Sequence, residues 1–349
     1  MAIGFGIVGI GVISGVHARG IEATGKGKVA ACFSRSQDRA DGFAREFGCR
    51  AYSSYREFLA DPDLDVVSIC TPSGAHLEYA LKAAEAGKHL MIEKPIEVTL
   101  ERCDRIIEAC RKHDVVLAGV FQSRFYDVSQ LIKGAIDSGR LGKLILGDSY
   151  TKWFRSMEYY TKEGSWHGTW DLEGGGVLMT QGSHSIDLLQ WFMGPVEEVQ
   201  ALTGTLGRPG IEVEDTAVAS LRFANGALGS IEGSTAVYPG FDRRVELYGT
   251  EGSIIVVRNN IAAWSFTEET EEDAEIRRKH ALVETEENKA ASDPTAVQHE
   301  GHRRQYADMI EAIETGGTPL VDGEEARKAV EIIMAVYESA RTQKVVRLR

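Results

Sequence analysis

The chain predicts an α/β protein in two parts, a doubly wound parallel sheet followed by an α/β domain with a largely antiparallel open sheet. Three observations carry that expectation. Short apolar runs alternate with helical segments up to Gln122. A glycine turn, Gly9-Ile-Gly11, sits between the first run and the first helix. Beyond Gln122 the runs lengthen, take period-two character and are joined by hairpin signals.

In chain order, Ile3–Val8 reads as a buried strand, Gly9–Gly15 as a turn and Val16–Thr24 as a helix. Strands over Lys28–Phe33, Asp65–Cys70, His89–Ile92 and Val115–Val120 are separated by helices over Gln37–Phe47, Tyr55–Ala60, Ala75–Ala86 and Leu100–His113. Such alternation gives parallel strands joined by right-handed crossovers. A helix over Ser129–Ser138 opens the second part. Strands are expected over Lys143–Trp153, Glu197–Thr205, Ala217–Phe223, Ala227–Thr235, Arg244–Tyr248 and Ser253–Val257, with hairpin turns at Asn225-Gly226 and Gly249–Gly252. The acidic stretches Thr267–Asp273 and Glu284–Asp293 read as solvated loop or edge hairpin. Gln305–Glu314 and Glu324–Arg341 read as two closing helices. The expected division is a dinucleotide-binding domain over 1–122 and a substrate-binding and self-association domain over 123–349. One face of the second sheet is available for that association.

The 349 residues suffice for two domains with substantial cores. Apolar residues make up 43% and charged residues 26%, an ordinary globular balance. A net charge of −13 argues against nucleic-acid partners and anionic membranes, which both draw basic patches. Met1–Val8 has no basic leader, and no apolar run approaches the roughly 20 residues of a membrane helix. Five cysteines without a CxxC fit free thiols in a reducing cytoplasm. The pair His299-x-x-His302 has no evident third ligand, and no metal is expected.

The candidate cofactor site begins at Gly9-Ile-Gly11-Val-Ile-Ser14, a GxGxxG turn with Ser14 at the third glycine. The first glycine permits the tight turn and the second lets backbone approach a pyrophosphate. Gly9, Gly11, Val12 and Ile13 then face the phosphates together with a helix N-terminus. The second strand runs out into Phe33-Ser34-Arg35-Ser36-Gln37-Asp38-Arg39, with no acid at its tip. An acid there would hold the ribose hydroxyls of NAD. Ser34, Arg35 and Arg39 suit a 2′-phosphate instead, so NADP(H) is favoured, with NAD(H) the alternative if Arg35 only stacks on adenine. The strand His89–Ile92 ends in Glu93-Lys94-Pro95. A lysine at that sheet edge, near a nicotinamide, can take an alcohol proton as hydride leaves the carbon.

Four motifs in order resemble the Gfo/Idh/MocA family over essentially the whole chain. They are the glycine turn, Cys70-Thr-Pro-Ser-Gly-Ala-His76, Glu93-Lys-Pro95 and Gly174-Gly-Gly-Val-Leu-Met-Thr-Gln-Gly-Ser-His-Ser-Ile-Asp187. The resemblance implies a Rossmann domain, then an α/β domain with an open sheet, and pyridine-nucleotide redox chemistry on sugars, cyclitols or related compounds. It implies that Lys94 is the catalytic lysine and that Pro95, often in a cis bond, aims it. Thr71, Pro72 and His76 are then expected along the cofactor, and Glu93 near the nicotinamide ribose. His184 resembles the second catalytic residue, with an imidazole that titrates near operating pH. Many family members carry an aspartate four residues earlier. Thr180 stands there instead; it is expected in the catalytic group as a hydrogen-bond donor or acceptor but cannot serve as a carboxylate base, which leaves Lys94 and His184 as the main acid–base pair.

A bound sugar ring needs polar and aromatic walls. Lys152-Trp-Phe-Arg155, Tyr159-Tyr160 and Trp166-His167-Gly-Thr-Trp170 supply both. Gln122, Arg155, Tyr160, Trp166, Gln181 and His184 are assigned to substrate, Arg155 being suited to a carboxylate or phosphate. This stretch resembles a branch near UDP-N-acetylglucosaminuronic acid 3-dehydrogenases, which implies a 3-keto sugar product. The expected protein is an NAD(P)-dependent oxidoreductase acting on a secondary hydroxyl or ketone of a sugar, sugar derivative or cyclitol, as a homodimer or homotetramer. One alternative is an NAD-dependent glycosidase with transient redox and no net NAD(P)H. The other is a non-catalytic nucleotide-sensing protein, which the presence of both Lys94 and His184 opposes.

Overall fold

A computed structural model of the chain describes residues 2–282 and 299–348. They form two compact units, 2–122 with 299–327, and 123–282 with 328–348.

The first unit begins with β1 (Ile3–Val8), α1 (Ser14–Glu22), β2 (Gly27–Phe33), α2 (Gln37–Phe47), β3 (Arg50–Tyr52) and α3 (Tyr55–Leu59). It continues with β4 (Val66–Ile69), α4 (His76–Glu85), β5 (His89–Ile92), α5 (Leu100–Lys112) and β6 (Leu117–Gly119). The six strands form a parallel sheet in the order β3-β2-β1-β4-β5-β6. Phe5, Ile7, Val66, Val67 and Ile69 are fully buried, as expected of strands covered on both faces. The strand order reverses between β1 and β4, so a crevice opens at their carboxyl ends.

The second unit contains α6 (Asp127–Asp137), β7 (Leu144–Lys152), α7 (Met157–Thr161), α8 (Ser183–Met193), β8 (Val196–Gly204) and β9 (Thr216–Phe223). After these come β10 (Leu228–Ser234), β11 (Arg244–Gly249), β12 (Gly252–Val257), β13 (Asn260–Phe266) and α9 (Glu271–His280). The chain then supplies α10 (Glu300–Thr315) to the first unit. It closes with α11 (Gly323–Thr342), which runs across the division, and β14 (Val346–Arg347). The second sheet has the order β13-β12-β11-β7-β10-β9-β8-β14. Only the β7–β10 pair is parallel, and every other neighbouring pair is antiparallel. Asn225 and Gly226 make the β9–β10 turn, with Gly226 at φ +85°.

Residues 299–327, read from sequence as part of the second domain, pack with the first unit; Tyr306, Met309 and Ile310 of α10 join its core. The reading of Thr267–Asp273 as loop or edge hairpin needs correction, because α9 begins inside it. Thr270 and Asp273 form a capping box, three acids occupy the first turn and four basic residues the last, matching the helix dipole. The other acidic stretch, Glu284–Asp293, lies outside the described residues. No helix among the described residues is long and apolar enough to cross a membrane.

Candidate functional site

In the first unit the chain leaves β1 at Gly9, whose φ of +92° suits glycine. A Cβ there would lie 2.9 Å from backbone atoms of Cys70 and Thr71. At Gly11 a Cβ would meet nothing within 4 Å, so the turn opens outward at that point. No side chain caps α1, whose N-cap is Ile13, and Ser14 Oγ donates to Gly11 O at 2.7 Å. An uncapped helix N-terminus behind a glycine turn is what a phosphate anion requires. Thr71 Oγ1, after β4, is buried with no hydrogen-bond partner among the described residues. Both loops lie where the strand order reverses, so these residues fit a dinucleotide. Val12 is exposed beside the turn.

At the tip of β2, Ser36 Oγ caps α2 by accepting from Arg39 N, and Ser34 Oγ accepts from Ser36 N. Arg35 and Arg39 are exposed, and no carboxylate pairs with either among the described residues. His76 is buried, with its ring nitrogens 3.0–3.2 Å from the carbonyl oxygens of Thr71, Pro95 and Ile96. It thereby ties Pro72's loop after β4 to the segment after β5.

That segment is Glu93-Lys94-Pro95, and the Lys94–Pro95 bond is cis. From Leu90 to Val98 only Lys94 is partly exposed. Glu93 Oε2 accepts from Lys94 N at 3.0 Å, while Oε1 meets His17 Nε2 at 2.8 Å and lies 3.9 Å from His302 Nε2. His17 Nδ1 in turn meets Tyr306 Oη at 2.6 Å and Ser68 Oγ at 3.1 Å. Burial raises the Glu93 carboxyl, but the hydrogen bond from His17, the neighbouring His302 and the nearby Lys94 outweigh it and hold the group well below the ordinary range. The sequence paired His302 with His299. The structure gathers His302 with His17 and Glu93, their ligand atoms within 4.8 Å of one another, and leaves His299 exposed. Gln122, after β6, has its Oε1 buried without a partner among the described residues.

In the second unit a single π turn over Leu178–Gly182 leads into α8. From Glu173 to Gln190 only Thr180 and His184 are partly exposed. Four residues apart, they lie on one face. Asp187, one turn on, makes a buried bidentate pair with Arg124, at 2.9 and 2.6 Å, that anchors α8. Thr180 Oγ1 donates to Glu173 Oε1 at 2.6 Å, and the same oxygen lies 3.0 Å from His167 Nδ1. Gln181 Nε2 reaches Tyr159 Oη at 3.4 Å. Tyr160 Oη donates to Thr235 Oγ1, and Trp166 lies against His167. Arg155 is buried, its guanidinium beside the rings of Trp153 and Tyr159.

Sequence reasoning missed Glu173, His17 and Tyr306. Glu173 immediately precedes Gly174–Gly176, but no spacing marks it as Thr180's partner. His17 and Tyr306 are 289 residues apart.

The glycine turn at a switch point and the helix behind it define a dinucleotide-binding protein. The comparisons with known proteins specify the class. Residues 3–121 match the family model described as oxidoreductase family, NAD-binding Rossmann fold, and residues 129–255 match the GFO/IDH/MocA C-terminal domain. The chain belongs to the Gfo/Idh/MocA family and is an oxidoreductase. It is 27% identical to a myo-inositol 2-dehydrogenase of Thermotoga maritima, covering 98% of both chains. It is 30% identical to D-xylose 1-dehydrogenase (NADP(+)) 2 of Haloferax volcanii, also over 98% of both. The WlbA dehydrogenase of Bordetella pertussis, solved in complex with NADH and UDP-GlcNAcA, superposes with a TM-score of 0.88 at 32% identity, over 100% of this chain and 99% of that one.

Proposed function

We propose that the protein is a dehydrogenase acting on a secondary hydroxyl of a sugar derivative or cyclitol, with Lys94 and His184 as its acid–base groups. One observation carries the reading. Lys94 is the one residue between Leu90 and Val98 that is not buried, at the carboxyl edge of a dinucleotide-binding sheet. Its amine takes or returns the proton of the reacting hydroxyl. His184, with Thr180 the accessible part of its own segment, is the second proton carrier. Gly9, Gly11, Val12, Ile13, Thr71 and Pro72 hold the cofactor, which supplies hydride transfer when bound. Arg35 and Arg39 favour NADP(H). The likeness to an enzyme solved with UDP-GlcNAcA makes a UDP-linked uronic acid the first substrate to try. Copies of the chain associate through the second sheet.

The test is mass spectrometry of nucleotide released from purified protein, followed by assays with UDP-GlcNAcA, myo-inositol and D-xylose read at the nicotinamide absorbance. Net NAD(P)H formation with at least one is expected. Lys94→Ala should lower kcat by about 10²–10⁴-fold while nucleotide still binds. Undiminished turnover in that variant sinks the assignment of Lys94.

A further inference from the structure

The residue at the family's aspartate position is Thr180, yet a carboxylate is present there all the same. Glu173, with a side chain only 2% exposed, takes Thr180 Oγ1 and His167 Nδ1 on one oxygen and Gly168 N on the other. A carboxylate accepts and does not donate, so the proton of a neutral His167 sits on Nδ1. Nε2 then keeps its lone pair. No hydrogen bond to Nε2 occurs among the described residues, and the side chain is 15% exposed. The ring is held on its plane. Tyr159 stacks on it at 4.1 Å and 20°, Tyr159 Oη lies 3.1 Å from Nδ1, and the Trp166 ring is 4.0 Å away. An imidazole fixed in tautomer, orientation and plane, with one acceptor nitrogen left over, is built to receive a hydroxyl proton donor. Through the shared Glu173 oxygen it is joined to Thr180, on the same exposed face as His184.

We propose that His167 is a substrate-binding residue whose Nε2 accepts a hydrogen bond from a ring hydroxyl other than the one oxidised, and that Glu173 is its positioning residue. The ligand class is a polyhydroxylated ring. This rests on the oxidoreductase reading above only for the identity of the ring. A site that hydrogen-bonds a hydroxyl discriminates against analogues lacking it, because its own polar group is then left unpaired.

Two measurements test it. The first is imidazole ¹⁵N resonances of the protein loaded with NADPH or NADH, whichever it binds more tightly, with UDP-GlcNAcA, myo-inositol and D-xylose added in turn. The Nδ1–H tautomer is expected for His167 before addition, with movement of Nε2 when a ring binds. A bound ring that leaves Nε2 unmoved overturns the proposal, and so does failure of all three to bind. A ring that moves Nε2 but is not oxidised when NAD(P)+ replaces the reduced cofactor overturns the dehydrogenase reading alone. The second is His167→Phe, which keeps a ring for Tyr159 to stack on, with His167→Gln as the smaller change should the first misfold. Either should lower kcat/KM about tenfold, mostly through KM, with cofactor affinity retained. Among ring-deoxy analogues of the substrate the loss should vanish for one position only. An equal loss for every analogue assigns His167 a structural role and overturns the proposal. Glu173→Gln should reproduce the phenotype and abolish the tautomer preference; a preserved Nδ1–H tautomer in that variant removes Glu173 from it.

Discussion

Arg35 and Arg39 stand on either side of the N-cap Ser36, at the positive end of the eleven-residue α2. Two guanidinium groups and a helix dipole converge there, and Asp38 in the same first turn pairs with neither arginine among the described residues. Replacing either arginine with alanine should weaken NADP binding about tenfold or more and change NAD binding little. Calorimetry with both nucleotides decides it, and equal or tighter NAD binding by the unaltered protein removes the preference. At this scale the sequence was informative where chemistry sits in consecutive residues. The glycine turn and Glu93-Lys94-Pro95 are contiguous, so their place after a strand could be read directly. Glu173 and His17 act through partners brought together by folding. Neither the Glu173–Thr180 bond nor the His17–Glu93 bond leaves a local pattern.

Helices and strands with strong periodicity were legible for the same reason. Gln37–Phe47 and His89–Ile92 have the bounds read from sequence, since capping and apolar runs define them locally. The three-residue β3 and two-residue β14 are too short to show a period, and α9 was concealed by its charge. The glycine run before α8 is held by tertiary contact. Gly176 lies so close that a Cβ would sit 1.7 Å from Glu214 O. Glu214 accepts from Gly176 N, Leu178 N and Tyr337 Oη. Burial nevertheless pushes its carboxyl up to about 7, from an ordinary 4.5. The folded state therefore binds the proton more tightly than the unfolded chain. This contribution to stability is complete below the unfolded value and is lost as pH rises through about 7. The full change is roughly 3 kcal/mol at most. Glu214→Gln should flatten the dependence of the unfolding midpoint on pH between 4.5 and 7, measured by denaturant titration. An unchanged slope in the variant shows that Glu214 does not control it.

The whole molecule presents one feature that neither unit's chemistry uses. β9 alternates strictly, with Ala217, Ala219, Leu221 and Phe223 buried and Val218, Ser220 and Arg222 exposed. On that outer face Leu202 pairs in register with Val218, and Leu228 with Leu146, across the adjacent strands β8, β9, β10 and β7. Leu202 is 73% exposed and Val218 52%. A chain carrying a net charge of −13 needs no apolar surface to stay dispersed, so leaving these side chains in water is a cost without a return in a lone copy. Association of two copies through this face would remove the cost, and it is self-complementary in kind, as a twofold interface requires. Light scattering should accordingly give a mass above that of one chain. Leu202→Glu combined with Val218→Glu should return it to the single-chain value, since like charges would meet across the interface. Both side chains point away from the core, so the unfolding midpoint of the separated chain should stay close to that of the parent extrapolated to low concentration. A parent protein already monomeric at micromolar concentration, or a doubly substituted one that still assembles, places the association elsewhere.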